Sequence, residues 1–459
     1  VVRISSGELR GAVSESGLTV FRGVPYARAA RFAPPKAVEP WTGVRDATGH
    51  GEIPPQPPFR IGSVTGMPEE GLAQGEDCLN LTIVTPGADG RKRPVLVWIP
   101  GGAYVTGAGS LGFYDGQRLA AEGDVVVVGM NYRLGALGYL KLDGVSPGNL
   151  GLLDQVAALR WVRDNIERFG GDPEQVTVFG QSAGGHSIAC LMATPAADGL
   201  FRRAILQSAP MGMKIAKPGA AARTARYFTA ALRTDPRTAS VEAILEAQQK
   251  TIVRAAGPGG LYSVPAFGPT ADTEPLPGAG EWLPSAVRRA RDVDVIIGTT
   301  RSEMNTFLNG KPGITQIEVI PFLGRAGMTA AKNAITRWMF EAPSRRFADA
   351  LTAAGGRVFT YRFDWAAPAS TYGACHCIEL PFLLGQREAW AEAPMLAGAE
   401  WDSMGELGRK LRGAWLSFAK TGDPSLGWQG HSPRAPAGYT WLEIGPDRQP
   451  RHGGPARVG

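Results

Sequence analysis

The sequence is poor in the residues that staple, ligate or span. Four cysteines in 459 residues (Cys78, Cys190, Cys375 and Cys377) are too few for a disulfide scaffold. Cys375 and Cys377 are separated by a single residue, which is not the C-x-x-C redox spacing. There are only five histidines and no two well-spaced His/Cys pairs, so a structural zinc is not expected. No apolar run approaches the ~18 residues that cross a bilayer, so no membrane span is expected. Internal repeats at periods of about 20–50 residues are missing, which sets aside solenoids and propellers.

Charge of one sign is also scarce. The 48 basic and 42 acidic side chains leave +6, which is dilute over this length. The densest basic clusters are Arg91-Lys92-Arg93 and Arg288-Arg289-Ala290-Arg291. Neither is interleaved with aromatics or set in a recognisable motif, so a nucleic-acid partner is not expected. Hydrophobic residues make up 44% of the chain, a globular proportion, and a chain this long can bury a large core unaided. At about 100–200 residues per domain the length suggests two to four units. No Ser/Gly-rich linker divides it, however, and we read residues 1–459 as one large domain. The chain begins Val1-Val2-Arg3, without Met or a signal-like run, which leaves a removed leader open.

What recurs along the chain is a short β-branched run followed by a helical pattern, the mark of a largely parallel α/β sheet. Strands are expected at 95–99, 125–130, 176–179, 204–206, 293–297 and 358–363. They lack polar–apolar alternation, as strands covered on both faces do. Leu152, Val156, Leu159, Val162, Ile166 and Phe169 form one apolar stripe and predict a helix over 152–169. Gly170-Gly171 and Pro173 would end it. Met404, Leu407, Leu411, Trp415 and Phe418 predict a second helix, over about 403–420 by the same periodicity. Segments 211–284 and 309–356 resist regular reading and look like insertions that shape substrate access.

The chemistry is concentrated where strand 176–179 runs into Gly180-Gln181-Ser182-Ala183-Gly184-Gly185. This is G-x-S-x-G between a strand and a helix, the setting of a nucleophile elbow. Small neighbours let the backbone turn sharply under Ser182, and the helix that follows directs N–H groups at charge developing there. A hydroxyl needs a base, most often His. His452 lies in the C-terminal tail, and His50 and His431 lie in Gly/Pro-rich stretches. His186 follows Ser182 by four residues on the same helix and reads as a polar residue packed near the site. His376, in a loop after strand 358–363, is the best candidate. An orienting carboxylate is expected between nucleophile and base in chain order. Glu303, just past strand 293–297, leads, with Asp292, Asp294 and Asp364 also near strand ends. Strand 95–99 ends in Pro100-Gly101-Gly102-Ala103-Tyr104, where Gly102 and Ala103 could donate amides to an oxyanion beside Ala183.

Taken together, these residues resemble the type-B carboxylesterase family, the α/β-hydrolases that include bacterial para-nitrobenzyl esterases and cholinesterases. Glu76-Asp77-Cys78-Leu79-Asn80-Leu81 and the stretch from Phe179 to Gly185 are similar to its two signatures. Phe21-Arg22-Gly23-Val24-Pro25-Tyr26-Ala27, Asn131-Tyr132-Arg133-Leu134-Gly135 and Phe169-Gly170-Gly171-Asp172-Pro173 match further blocks, in order. So do Glu379-Leu380-Pro381-Phe382 and Phe418-Ala419-Lys420-Thr421-Gly422-Asp423-Pro424.

The resemblance implies an α/β-hydrolase fold: a mostly parallel central sheet flanked by helices, with a small N-terminal β region and helical insertions. It implies Ser182 as nucleophile, Glu303 as acid, His376 as base, and Gly102, Ala103 and Ala183 as oxyanion donors. Acylation and deacylation of Ser182 would cleave a small-molecule carboxylic ester, and the implied mechanism requires no cofactor or metal. Tyr104, His186, Met211 and Met213 are expected to border the substrate. The oligomeric state cannot be read.

Several positions depart from the family's pattern. Pro100 stands where many relatives have His or Tyr, Ser302 and Met304 replace the usual Asp and Gly beside the acid, and Cys377 replaces a small residue. The stretch 26–34 and several other loops are short. Cys78 lacks its usual partner cysteine and is expected free, which points to a reducing, cytoplasmic compartment. Pro100, His186 and Met304 motivate a second reading, a specialised acyl-transfer or ester-cleaving step. A non-catalytic binding relative is the third, although such relatives lose a triad member and this chain retains all three.

Overall fold

A computed structural model describes residues 1–66, 71–256, 265–311, 314, 324–425, 427, 428, 430–432 and 441–444. The β-branched runs assemble into a ten-stranded sheet. Seven strands are parallel, in the order Trp441–Ile444, Val358–Phe363, Asp294–Thr300, Arg203–Gln207, Gly171–Gln181, Arg93–Ile99 and Val126–Met130. Asn80–Thr85, Thr19–Pro25 and Ala12–Val13 continue it antiparallel. The expected strand 176–179 begins earlier, at Gly171, because Gly171 pairs with Arg93 before a register shift leads to Val176. The N-terminal β region is a separate sheet of Val2–Ile4, Gly7–Arg10 and Val44–Asp46.

The period-2 geometry of a strand divides the core in two. Val97, Val178 and Ala204 are partners in register and pack on one face. Trp98, Phe179 and Ile205, one residue on, pack on the other. The two helices read from the sequence lie on opposite faces. Leu150–Asn165 covers the first with Leu152, Val156, Leu159 and Val162, and Trp401–Thr421 covers the second with Met404, Leu411, Trp415 and Phe418. Each such fully buried side chain contributes about 1.5–3 kcal/mol of transfer free energy. The first helix stops at Asn165 rather than Phe169. A tighter turn, Ile166–Phe169, finishes the descent, and Gly170 takes the left-handed conformation at φ 79°.

Segments 211–284 and 309–356 are more regular than expected. They hold the helices Pro218–Leu232, Val241–Ala256, Trp282–Arg288, Gly324–Thr336 and Ala342–Ala353, with the π turn Arg337–Glu341 between the last two. Their parts at 257–264, 312–313 and 315–323 lie outside the described residues.

The basic clusters are paired internally. Arg93 meets Asp89 and Asp124, Lys92 meets Glu167, and buried Arg289 meets Asp198. All four cysteines are free and buried. Among the described residues, no helix is long and apolar enough to cross a membrane, and no group of His, Cys, Asp and Glu could hold a metal ion.

Candidate active site

The site lies at the C-terminal end of the parallel strands, where the chain leaves each strand and its backbone groups are unpaired. Strand Gly171–Gln181 delivers Ser182 in a strained conformation, φ 58° and ψ −125°, before helix Ala183–Met192 starts. Its amide donates to the Gln207 carbonyl of the neighbouring strand at 2.8 Å, and its carbonyl accepts the His186 amide at 2.9 Å. These bonds fix the turn from both sides. Ser182 faces a cavity of about 650 Å³ that His376, Gly102, Ala103 and Ala183 also line.

Strand Arg93–Ile99 leads into the loop opposite. Gly102, Ala103 and Tyr104 all have positive φ, at 112°, 55° and 65°. The Gly102 carbonyl turns back to accept the Val105 and Thr106 amides, each at 3.1 Å. A Cβ on Gly102 would stand 2.1 Å from the Thr106 carbonyl oxygen, so only glycine fits. Among the described residues the amides of Gly102 and Ala103 have no acceptor within the protein. Two unpaired N–H groups beside a serine at a helix N-terminus suit an oxygen that gains negative charge.

Glu303 follows strand Asp294–Thr300 and is fully buried. One oxygen accepts the Thr300 amide at 2.8 Å and the other accepts His376 Nδ1–H at 2.5 Å. Fixing the proton on Nδ1 leaves Nε2 as the basic edge. Nε2 accepts a hydrogen bond from the Gln181 side-chain Nε2 at 3.1 Å. Phe307 and Phe340 stand at 5.1 and 5.4 Å from the imidazole and confine it. The alternative acids lie elsewhere. Asp292 and Asp294 are at the opposite end of their strand, and Asp364 is paired with Arg362. Of the other histidines, His431 bonds to Asp349, exposed His50 sits in the N-terminal loops, and His452 is outside the described residues.

Of the four residues expected to border the substrate, only Met213 lines the cavity. Tyr104 and His186 are fully buried behind it. The left-handed turn sends the Tyr104 side chain inward, where its hydroxyl meets His186 Nδ1 at 2.6 Å. Met211 packs against the core cluster rather than the cavity.

Sequence reading missed a second carboxylate. Glu379 is fully buried and accepts hydrogen bonds from Gln207 Nε2 at 3.1 Å and Tyr361 Oη at 2.9 Å. Burial, with the nearby charge of Glu303 adding to it, pushes its carboxyl up to about 8. Its place three residues after His376 was the available signal. Burial likewise raises the Cys377 thiol, away from the reactive thiolate.

The Carboxylesterase family model matches residues 1–319 and 325–453. The chain is 42% identical over 439 residues to a probable N-octanoylanthranilate hydrolase of Rhodococcus erythropolis, covering 95% of this chain and 96% of that protein. It is 36% identical over 458 residues to the para-nitrobenzyl esterase of Bacillus subtilis, covering 93% and 90%. Among solved structures, a thermophilic PNB esterase superposes with a TM-score of 0.84 at 33% identity, over 97% of this chain and 95% of that one.

Proposed function

The chain belongs to the carboxylesterase family, and from that premise we propose that it cleaves uncharged or weakly charged carboxylic esters with Ser182, His376 and Glu303 as its triad. The observation that carries the reading is the buried Glu303–His376 bond of 2.5 Å on the cavity that Ser182 also lines. In the first half-reaction the Ser182 hydroxyl attacks the ester carbonyl while His376 Nε2 takes its proton. The amides of Gly102, Ala103 and Ala183 hold the oxyanion, and the proton passes to the departing alcohol. Water then repeats the sequence on the acyl-enzyme and releases the acid. Glu303 keeps the imidazole in the tautomer both steps need. Residues 211–284 and 309–356, as insertions on a single domain, shape the pocket. Met213 comes from the first, and Asn309, Ile335, Met339 and Phe340 come from the second.

A second reading is favoured by one finding, the 42% identical relative named as a probable N-octanoylanthranilate hydrolase. On this reading the leaving group is an aryl amine and the same serine cleaves an N-acyl bond. A panel of p-nitrophenyl esters and N-acylanthranilates of increasing chain length separates the two.

Ser182→Ala is expected to lower turnover by a factor on the order of a million and to abolish labelling by a fluorophosphonate probe. Labelling retained in that variant would overturn the assignment.

A further inference from the structure

We propose that the buried Tyr104–His186 hydrogen bond is a positioning pair, tying the oxyanion loop to the helix that follows the nucleophile and so setting the rate without touching substrate. The proposal rests on the reading of Gly102, Ala103 and Ala183 as oxyanion donors.

Those donors come from two separate pieces of chain. Gly102 and Ala103 belong to the loop after strand Arg93–Ile99, whereas Ala183 opens the helix Ala183–Met192. Their amides can converge on one oxygen only if the loop is held in register with the helix. The loop is not at rest by itself. Ala103 and Tyr104 lie in succession at φ 55° and 65°, and a left-handed residue other than glycine costs on the order of 1–3 kcal/mol. For a bulky side chain such as Tyr104 this conformation is a marked outlier, and it persists only where the surroundings impose it.

The surroundings of Tyr104 do impose it. Its carbonyl accepts the Gly135 amide at 2.7 Å, and its ring packs edge-on against Tyr139 with centroids 5.0 Å apart. Its hydroxyl lies 2.6 Å from His186 Nδ1. His186 stands one helical turn beyond Ser182, and its imidazole lies within reach of the backbone of Met213, which lines the cavity. Burial pushes His186 down to about 4, so the neutral form that accepts is the one present near neutral pH. One imidazole therefore joins the oxyanion loop, the nucleophile's helix and a wall of the pocket.

Neither side chain lines the cavity. An effect of the pair on the reaction must then pass through the position of the loop. Catalytic donors tolerate displacements of only about 0.5 Å, and a misplacement near 1 Å can cost about a hundredfold in rate. Loosening one tether while the Gly135 bond and the Tyr139 contact remain should cost less.

The test uses the full chain, p-nitrophenyl esters from acetyl to octanoyl, and a fluorophosphonate probe. Tyr104→Phe removes one oxygen and is expected to lower kcat about tenfold, with KM changed by less than about twofold. The factor should be the same for every acyl chain, because the oxyanion is common to them all. Probe labelling should slow in parallel. His186→Ala should reproduce this loss. His186→Asn, whose amide oxygen reaches the Nδ1 position, should recover most of the rate, and this pair carries the test if Tyr104→Phe fails to fold. An unchanged kcat in folded Tyr104→Phe overturns the proposal. So does a KM change that depends on chain length, or an Asn variant no better than Ala. Wild-type protein that the probe does not label would instead overturn the serine-esterase reading.

Discussion

At the scale of single residues, the site holds two buried carboxylates given different tasks by their partners. Glu303 accepts hydrogen bonds from an imidazole N–H and a backbone amide. Glu379 faces a side-chain amide and a phenol, which do not offset its burial, and its carboxyl is pushed up to about 8 from an ordinary 4.5. A native value above the unfolded one means that the folded state holds the proton longer. The stability contributed is then full below about 4.5 and falls as pH rises towards about 8, by at most about 1.4 kcal/mol per pH unit. Glu379→Gln keeps the shape and cannot ionise. Its melting temperature should run level with wild type below about pH 4, gain on it between about 4.5 and 8, and level off above that. Thermal unfolding across that range checks the sign, and parallel curves for the two proteins would show that Glu379 does not titrate in this window.

At the scale of elements, the elbow works because strand, turn and helix press against the neighbouring strand without side chains between them. A Cβ on Gly184 would stand 2.0 Å from the Ile99 carbonyl oxygen, so helix Ala183–Met192 starts at backbone contact with strand Arg93–Ile99. Gly184→Ala must push the helix away and carry the Ala183 amide with it. Overpacking of this kind costs about 1–3 kcal/mol. Activity and probe labelling should fall by more than about a hundredfold, because a proposed oxyanion donor moves as well. A variant with a lowered melting temperature and wild-type labelling would contradict this account. The same elements show what the sequence made legible. The strands from 93 to 363 were readable as apolar β-branched runs, and the helices Leu150–Asn165 and Trp401–Thr421 as wide stripes of large side chains. Helix Pro218–Leu232 was not, because its buried stripe of Ala221, Ala225, Phe228 and Leu232 is half alanine, although Pro218 at its first turn was a usable start signal. The triad candidates could be placed because each follows a strand end. The Tyr104–His186 bond could not, since nothing in the spacing of two residues 82 positions apart says that a left-handed turn will bring them together.

At the scale of the whole molecule, the cavity that Ser182 and His376 line is also lined by side chains from segments 211–284 and 309–356. The segments meet directly: the Gly212 amide donates to the Met339 carbonyl at 2.8 Å. Met213 and Met339 both line the cavity close to that junction, and Phe340 continues from Met339 to pack against His376. Methionine is unbranched and adaptable, so a wall built from it yields to acyl chains of different shape while still excluding water. Shortening one of these side chains should therefore change which acyl group fits and leave the chemistry alone. In Met339→Ala the backbone bond to Gly212 is retained and the cavity gains the volume of the lost side chain. The ratio of kcat/KM for octanoyl over butyryl esters is expected to rise about tenfold, since each methylene that finds or loses a contact weighs on discrimination. Labelling of Ser182 by a small fluorophosphonate, which does not reach the wall, should stay at the wild-type rate. An unmoved chain-length profile would put the acyl path elsewhere in the cavity. A slowed reaction with the small probe would mean that this wall also positions His376 through Phe340.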